Sequence, residues 1–122
     1  MMLSVEDYCQ VYLVVGGWVT GGATDSVETL VEGGSAWTIE EPLWTGIADA
    51  RMLTYNNIPY MFGGNIGPPV AGWDDFSASA DILAWDDRTK KWSKTGLMKE
   101  ERIHHGVSAI EIDWDTLNSC QP

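Results

Sequence analysis

Apolar positions along this chain come in short runs, and two of the runs end at paired glycines. "VYLVVGGWV", starting at Val11, and "PYMFGGNIG", starting at Pro59, each carry an aromatic, an apolar stretch and a Gly-Gly pair. Downstream of the first pair lies "DSVETLVEGGSAWTIEEPLW", and downstream of the second "SASADILAWDDRTKKWSKTGLM". Each holds an apolar run, a polar turn ("VEGGSA" or "DDRTKK") and then a Trp. "AIEIDW", from Ala109, alternates apolar with polar, the period of a strand with one buried face. Glycines and prolines break every window of helical length. The pattern predicts an all-β chain.

The two copies align position by position. Gly16-Gly17 and Gly63-Gly64 are 47 residues apart. Seven residues before Trp37 stands Leu30, and seven before Trp92 stands Trp85, both large and apolar as an inward strand position requires. Arg51 in "ADARMLTY" and Arg102 in "EERIHHGVSAIEID" open further apolar runs. The offset is 55 for the Trps and 51 for the Args, because Gly17 to Trp37 spans 20 residues and Gly64 to Trp92 spans 28. The eight extra residues are assigned to "GPPVAGWDDF". Four short runs per period of about fifty is the signature of a propeller blade. The first run is "MLTYNN" or "GVSAIEID", the second "VYLVVGG" or "PYMFGG", the third centres on Leu30 or Leu83, and the fourth on Trp37 or Trp92.

This combination resembles the kelch repeat, from about Met1 to about Trp114. The family usually has Tyr where this chain has Leu30 and Trp85, so the apolar demand is kept and a hydroxyl is lost. The resemblance implies four-stranded antiparallel blades: residues 1–47 a partial repeat, 48–98 a repeat, and 99–122 the first strand of a further repeat plus a tail. The glycines permit positive φ and close backbone approach, the Trps fill space between sheets, and the Args are placed to bridge backbone groups of adjacent blades. A propeller needs at least four blades, about 200 residues, so the ring is incomplete in 122. A fragment of a longer product is the expectation; self-association or stacking on another kelch chain are the alternatives.

Composition narrows the partners. With 44% hydrophobic residues the chain is of the folding kind, and seven Trp beside thirteen Gly suit sheets with tight turns. A formal charge of −11 repels phosphate backbones and anionic membranes and favours a basic partner. Cys9 and Cys120 form no C-x-x-C pair and no disulfide framework, which favours a reducing compartment. No apolar stretch approaches the ~20 residues of a membrane span. A cytoplasmic chain is expected.

Candidate chemistry is sparse. His104 and His105, as strand neighbours, would face opposite ways and could not share a metal, so no metal site and no cofactor is expected. Glu40-Glu41, Asp74-Asp75, Asp86-Asp87 and Glu100-Glu101 are carboxylate pairs, three of them where turns are predicted. Trp73, Asp74, Asp75 and Phe76, in the long loop after the second glycine pair, set aromatic anchors beside negative charge. Trp18 and Asp25 occupy the matching first-copy loop, at the end where the resemblance implies a partner-binding face. The bland alternative is that Trp73 and Phe76 fold back over their own sheet. The expected function is a non-enzymatic protein-interaction module; the resemblance implies recruitment to a ubiquitin ligase or cytoskeletal binding. The alternatives are a piece of a propeller enzyme (oxidase, lyase or isomerase), for which Tyr55 and His104 or His105 are the candidate groups, and a truncated product without independent function.

Overall fold

The computed structural model describes residues 10–66, 77–110 and 112, which are all-β and carry no helix. In chain order the strands are β1 (Val11–Val15), β2 (Trp18–Val19), β3 (Gly22–Ala23), β4 (Val27–Val31), β5 (Thr38–Ile39), β6 (Arg51–Tyr55), β7 (Ile58–Phe62), β8 (Ser79–Asp86) and β9 (Lys91–Arg102). They form a three-stranded sheet β1-β4-β5, a small hairpin β2-β3, and a four-stranded meander β6-β7-β8-β9. All pairings are antiparallel.

Local chemistry sets the turns. Tyr55 pairs with Ile58 across Asn56 (φ 50) and Asn57 (φ 63), the left-handed pair that a two-residue hairpin needs and that Asn tolerates. Between β8 and β9, the Asp86 carboxylate accepts the Arg88 amide at 2.9 Å, and that bond holds its pKa below the ordinary value. The neighbouring Asp87 is lowered chiefly by Lys90, whose ammonium donates to it at 2.7 Å.

The two larger sheets are one unit written twice. Val15↔Val27 and Val14↔Glu28 in the first correspond to Phe62↔Ile82 and Met61↔Leu83 in the second. Glu28↔Ile39 and Thr29↔Thr38 correspond to Leu83↔Lys94 and Ala84↔Ser93. The glycine pairs match in conformation: φ is 62 and 106 at Gly16 and Gly17, 67 and 105 at Gly63 and Gly64. They also match in bonding. Gly16 and Gly63 donate to the carbonyls of Ser26 and Asp81, and Gly17 and Gly64 to those of Ile47 and Arg102. Thr24 and Ser79 donate back to Gly17 and Gly64, so the eight extra residues lie between Gly64 and Ser79.

The crossover 40–50 joins the sheets through its own backbone. Glu40, Leu43 and Ile47 donate to the carbonyls of Val27, Asp25 and Thr24. Ala48 and Asn65 then exchange both amides, at 3.0 and 2.7 Å. One apolar cluster results: Val27 from the first sheet, Leu43 and Ile47 from the crossover, and Met61, Leu83 and Trp85 from the second, with Leu13, Val15 and Trp92 packed on it. Burial of a side chain of this size contributes about 1.5–3 kcal/mol. Trp85 and Trp92, directly opposite, sit with ring centroids 5.7 Å apart.

Two expectations need correction. Ile47, not Arg51, stands where Arg102 stands, because the position is defined by a carbonyl that accepts the glycine amide. The Arg51 guanidinium donates to its neighbour's carbonyl, Ala50, at 3.3 Å, and Arg102 lies 3.6 Å from Glu100; among the described residues neither bridges the sheets. Secondly, residues 106–110 and 112 form no strand, and β9 itself runs to Arg102, past the expected boundary at 98. A strand needs an edge to pair with, and no described segment lies beside them; Ile110 and Ile112 are exposed.

The glycine pair yields a sharp contrast. A Cβ on Gly63, at φ 67, would sit 2.5 Å from the Arg102 carbonyl oxygen, whereas one on Gly33, at φ 83, would meet nothing within 4 Å. Gly63→Ala is expected to cost about 3 kcal/mol or more, from left-handed strain plus backbone collision. Gly33→Ala is expected to cost only the strain, about 1–2 kcal/mol. Urea melts of the two variants check the difference.

Candidate functional site

Three distant segments meet at the end of the sheets where the crossover enters. Trp18 follows the first glycine pair and opens β2, where it pairs with Ala23. Asp49 closes the crossover in the left-handed conformation (φ 57), which Asp tolerates better than most residues. His104, two residues past β9, is left-handed as well (φ 55).

Asp49 ties the three together. Its Oδ2 accepts the Trp18 indole N–H at 2.8 Å and lies 3.1 Å from His104 Nε2. Its carbonyl accepts the His104 amide at 3.4 Å. The indole is therefore held by its polar edge while Trp18 remains 52% exposed. A ring fixed in this way loses little side-chain freedom when something docks on its face. Val19 beside it is also exposed. Trp44, 68% exposed, lies on the crossover two residues before Gly46, whose backbone packs against Ala23, the cross-strand partner of Trp18. Asp25 is exposed between β3 and β4, its carbonyl taken by Leu43. The end thus offers apolar rings amid carboxylates.

His104 and His105 diverge. The His105 ring lies against Gly63, with both nitrogens enclosed and without a hydrogen-bond partner among the described residues. Among the described residues no three His, Cys, Asp or Glu gather at metal-binding distance. Tyr55 is at the turn between β6 and β7, the opposite end of the four-stranded sheet from His104. Tyr55 and His104, candidate groups of the enzyme alternative, are thus not brought together.

Of the other residues singled out in the sequence, Trp73, Asp74, Asp75 and Phe76 lie outside the described residues. Gly16, Gly17, Gly63 and Gly64 shape this end. Leu30, Trp85 and Trp92 sit on the sheets, and Trp37 is exposed just before β5. Asp86-Asp87 falls at a turn, Glu40-Glu41 on the crossover, where Glu41 meets Lys91 at 3.3 Å, and Glu100-Glu101 within β9. These exposed ion pairs contribute about 0–1 kcal/mol. Sequence reasoning missed Asp49 and Trp44. Asp49 carries no local motif, since its partners are 31 and 55 residues away; Trp44 offers a signal, a Trp outside the repeated pattern.

Asp49→Ala is expected to free the Trp18 indole. The indole N–H resonance should move toward the random-coil position and exchange faster with water. The stability change should be about 1–2 kcal/mol, one exposed hydrogen bond plus the poorer fit of Ala to the left-handed backbone.

No family model and no curated protein matches the chain. Among solved structures, that of YjhT is similar, with a TM-score of 0.64 at 23% sequence identity. The similarity covers 77% of this chain and 31% of that one, so the chain spans under a third of the matched protein's length. Among the described residues no helix is long and apolar enough to cross a membrane. At this identity the likeness is one of fold.

Proposed function

We propose that this chain is part of a kelch-type β-propeller that acts as a protein-binding module, and that it takes a basic segment of its partner at the Trp18 end. The observation that carries the reading is the Trp18 indole, pinned by Asp49 with its face open to solvent. A rigid exposed aromatic is the residue type most often dominant in binding. The carboxylates of Asp25 and Glu40 on the adjoining segments, within a chain of charge −11, favour Lys or Arg in the partner. Three further observations support the propeller part. The registers of the two sheets repeat, the second sheet packs on the first through one face, and the same fold occupies 31% of a longer chain.

A second reading, part of a propeller enzyme, draws on one observation, the carboxylate–imidazole contact of Asp49 and His104. Such a pair is used in general acid–base chemistry. Its indole neighbour consumes the same carboxylate oxygen, and Tyr55 is at the far end of the sheet.

A fluorescently labelled Lys/Arg-rich peptide, titrated into the chain, tests the binding reading. Affinity is expected to fall as salt shortens the Debye length from ~10 Å at 0.1 M. Trp18→Ala is expected to weaken binding about tenfold or more. No binding at low salt, or equal binding by Trp18→Ala, would contradict it.

A further inference from the structure

The interface inside the chain identifies what fits the two sheet faces that the described residues leave uncovered. On the second sheet, Met61, Leu83 and Trp85 lie on one face, with Trp92 beside Trp85. On the first sheet, the face they meet carries Leu13, Val15 and Val27. The contact is therefore between unlike faces, face A of the second sheet on face B of the first.

The repeated register carries this relation outward. Face A of the first sheet is built from the residues equivalent to the buried set: Val14 for Met61, Glu28 for Leu83, Leu30 for Trp85 and Trp37 for Trp92. Tyr12 and Ile39 extend it, and Tyr12, Val14, Trp37 and Ile39 are all exposed, Ile39 at 79%. Face B of the second sheet is built from the equivalents of Leu13, Val15 and Val27, which are Tyr60, Phe62 and Ile82. Tyr60 and Phe62 pack together there with ring centroids 6.4 Å apart. A cleft of about 460 Å³ indents the same face, bordered in part by Ile58, Tyr60 and Ala84 and, at its turn end, by Asp86, Asp87 and Arg88. One end of the chain thus presents the A face and the other the B face of the interface that already holds its two sheets together.

We infer that the occupant of the open A face is the open B face of a second copy of this chain, stacked head to tail in the manner of the internal interface. This rests on the propeller reading of the sheets and is independent of what binds at Trp18. The contact is heterologous, so it grows until rotation closes it. With two units per chain, a ring of four to eight units requires about two to four copies.

Light-scattering mass and a mixing experiment test this. The chain is expected as a discrete closed oligomer of about two to four copies. Val14→Arg, which charges face A, and Tyr60→Arg, which charges face B, should each be monomeric. Mixed in equal amounts they should form a one-to-one dimer, since one intact A face then meets one intact B face. Trp37→Glu and Ala84→Arg provide a second pair on the same faces, and far-UV circular dichroism confirms that each variant keeps its sheets. A monomeric parent chain would overturn the inference. So would folded single variants that keep the parent's mass, or mixtures that remain monomeric. Retained peptide binding by a monomeric parent would leave the Trp18 site standing while this inference fell.

Discussion

Two backbone amides, those of Gly17 and Gly64, organise the molecule. Each donates to a carbonyl at or beyond the end of its own unit's last strand: that of Ile47, on the crossover after β5, and that of Arg102, the last residue of β9. The approach is so close that any Cβ on the preceding glycine would collide with that carbonyl. Because the residue that leaves the sheet is clamped at the sheet's end, the chain must enter the next unit from a fixed point. Ala48 and Asn65 then dock the next unit against that point, and Met61, Leu83 and Trp85 close over Val27. The apolar contact supplies most of the stabilisation, and the glycine clamp decides which faces make it.

The same clamp creates the candidate site. Holding the end of the crossover in place leaves Asp49 between Trp18 of the first unit and His104 beyond the last strand of the second. The Trp18–Asp49–His104 arrangement therefore needs two units in register. Its strength as a site comes from a satisfied polar edge and an open ring face on the same Trp, a division that suits recognition more than catalysis.

Much of this was legible in the sequence, for reasons that can be named. The glycine pairs, the run lengths and the Trp seven places after a large residue gave the strand order and located the inserted residues. The all-β class followed from the absence of any uninterrupted helical window. Trp18 stood out as an aromatic in the loop after the first glycine pair; its short strand and its bond to Asp49 had no local signal. Equating Arg51 with Arg102 failed because residue type was matched where the structure needs only a carbonyl. Asp49 was silent because its partners are remote in sequence and its left-handed backbone has no one-residue signature. The alternation in "AIEIDW" promised a strand, but alternation states only which face would be buried; pairing needs a neighbour.

Native-state amide hydrogen exchange at Gly17, Ala48, Asn65 and Gly64 tests the central claim most directly. If the clamp and the crossover join the two units into one cooperative structure, these four amides exchange together, at the slow rate of the β7 and β8 core. If Gly17 and Ala48 exchange fast while Gly64 and the β6–β9 amides stay protected, the units fold separately, and the account of a clamped, continuous stack is wrong.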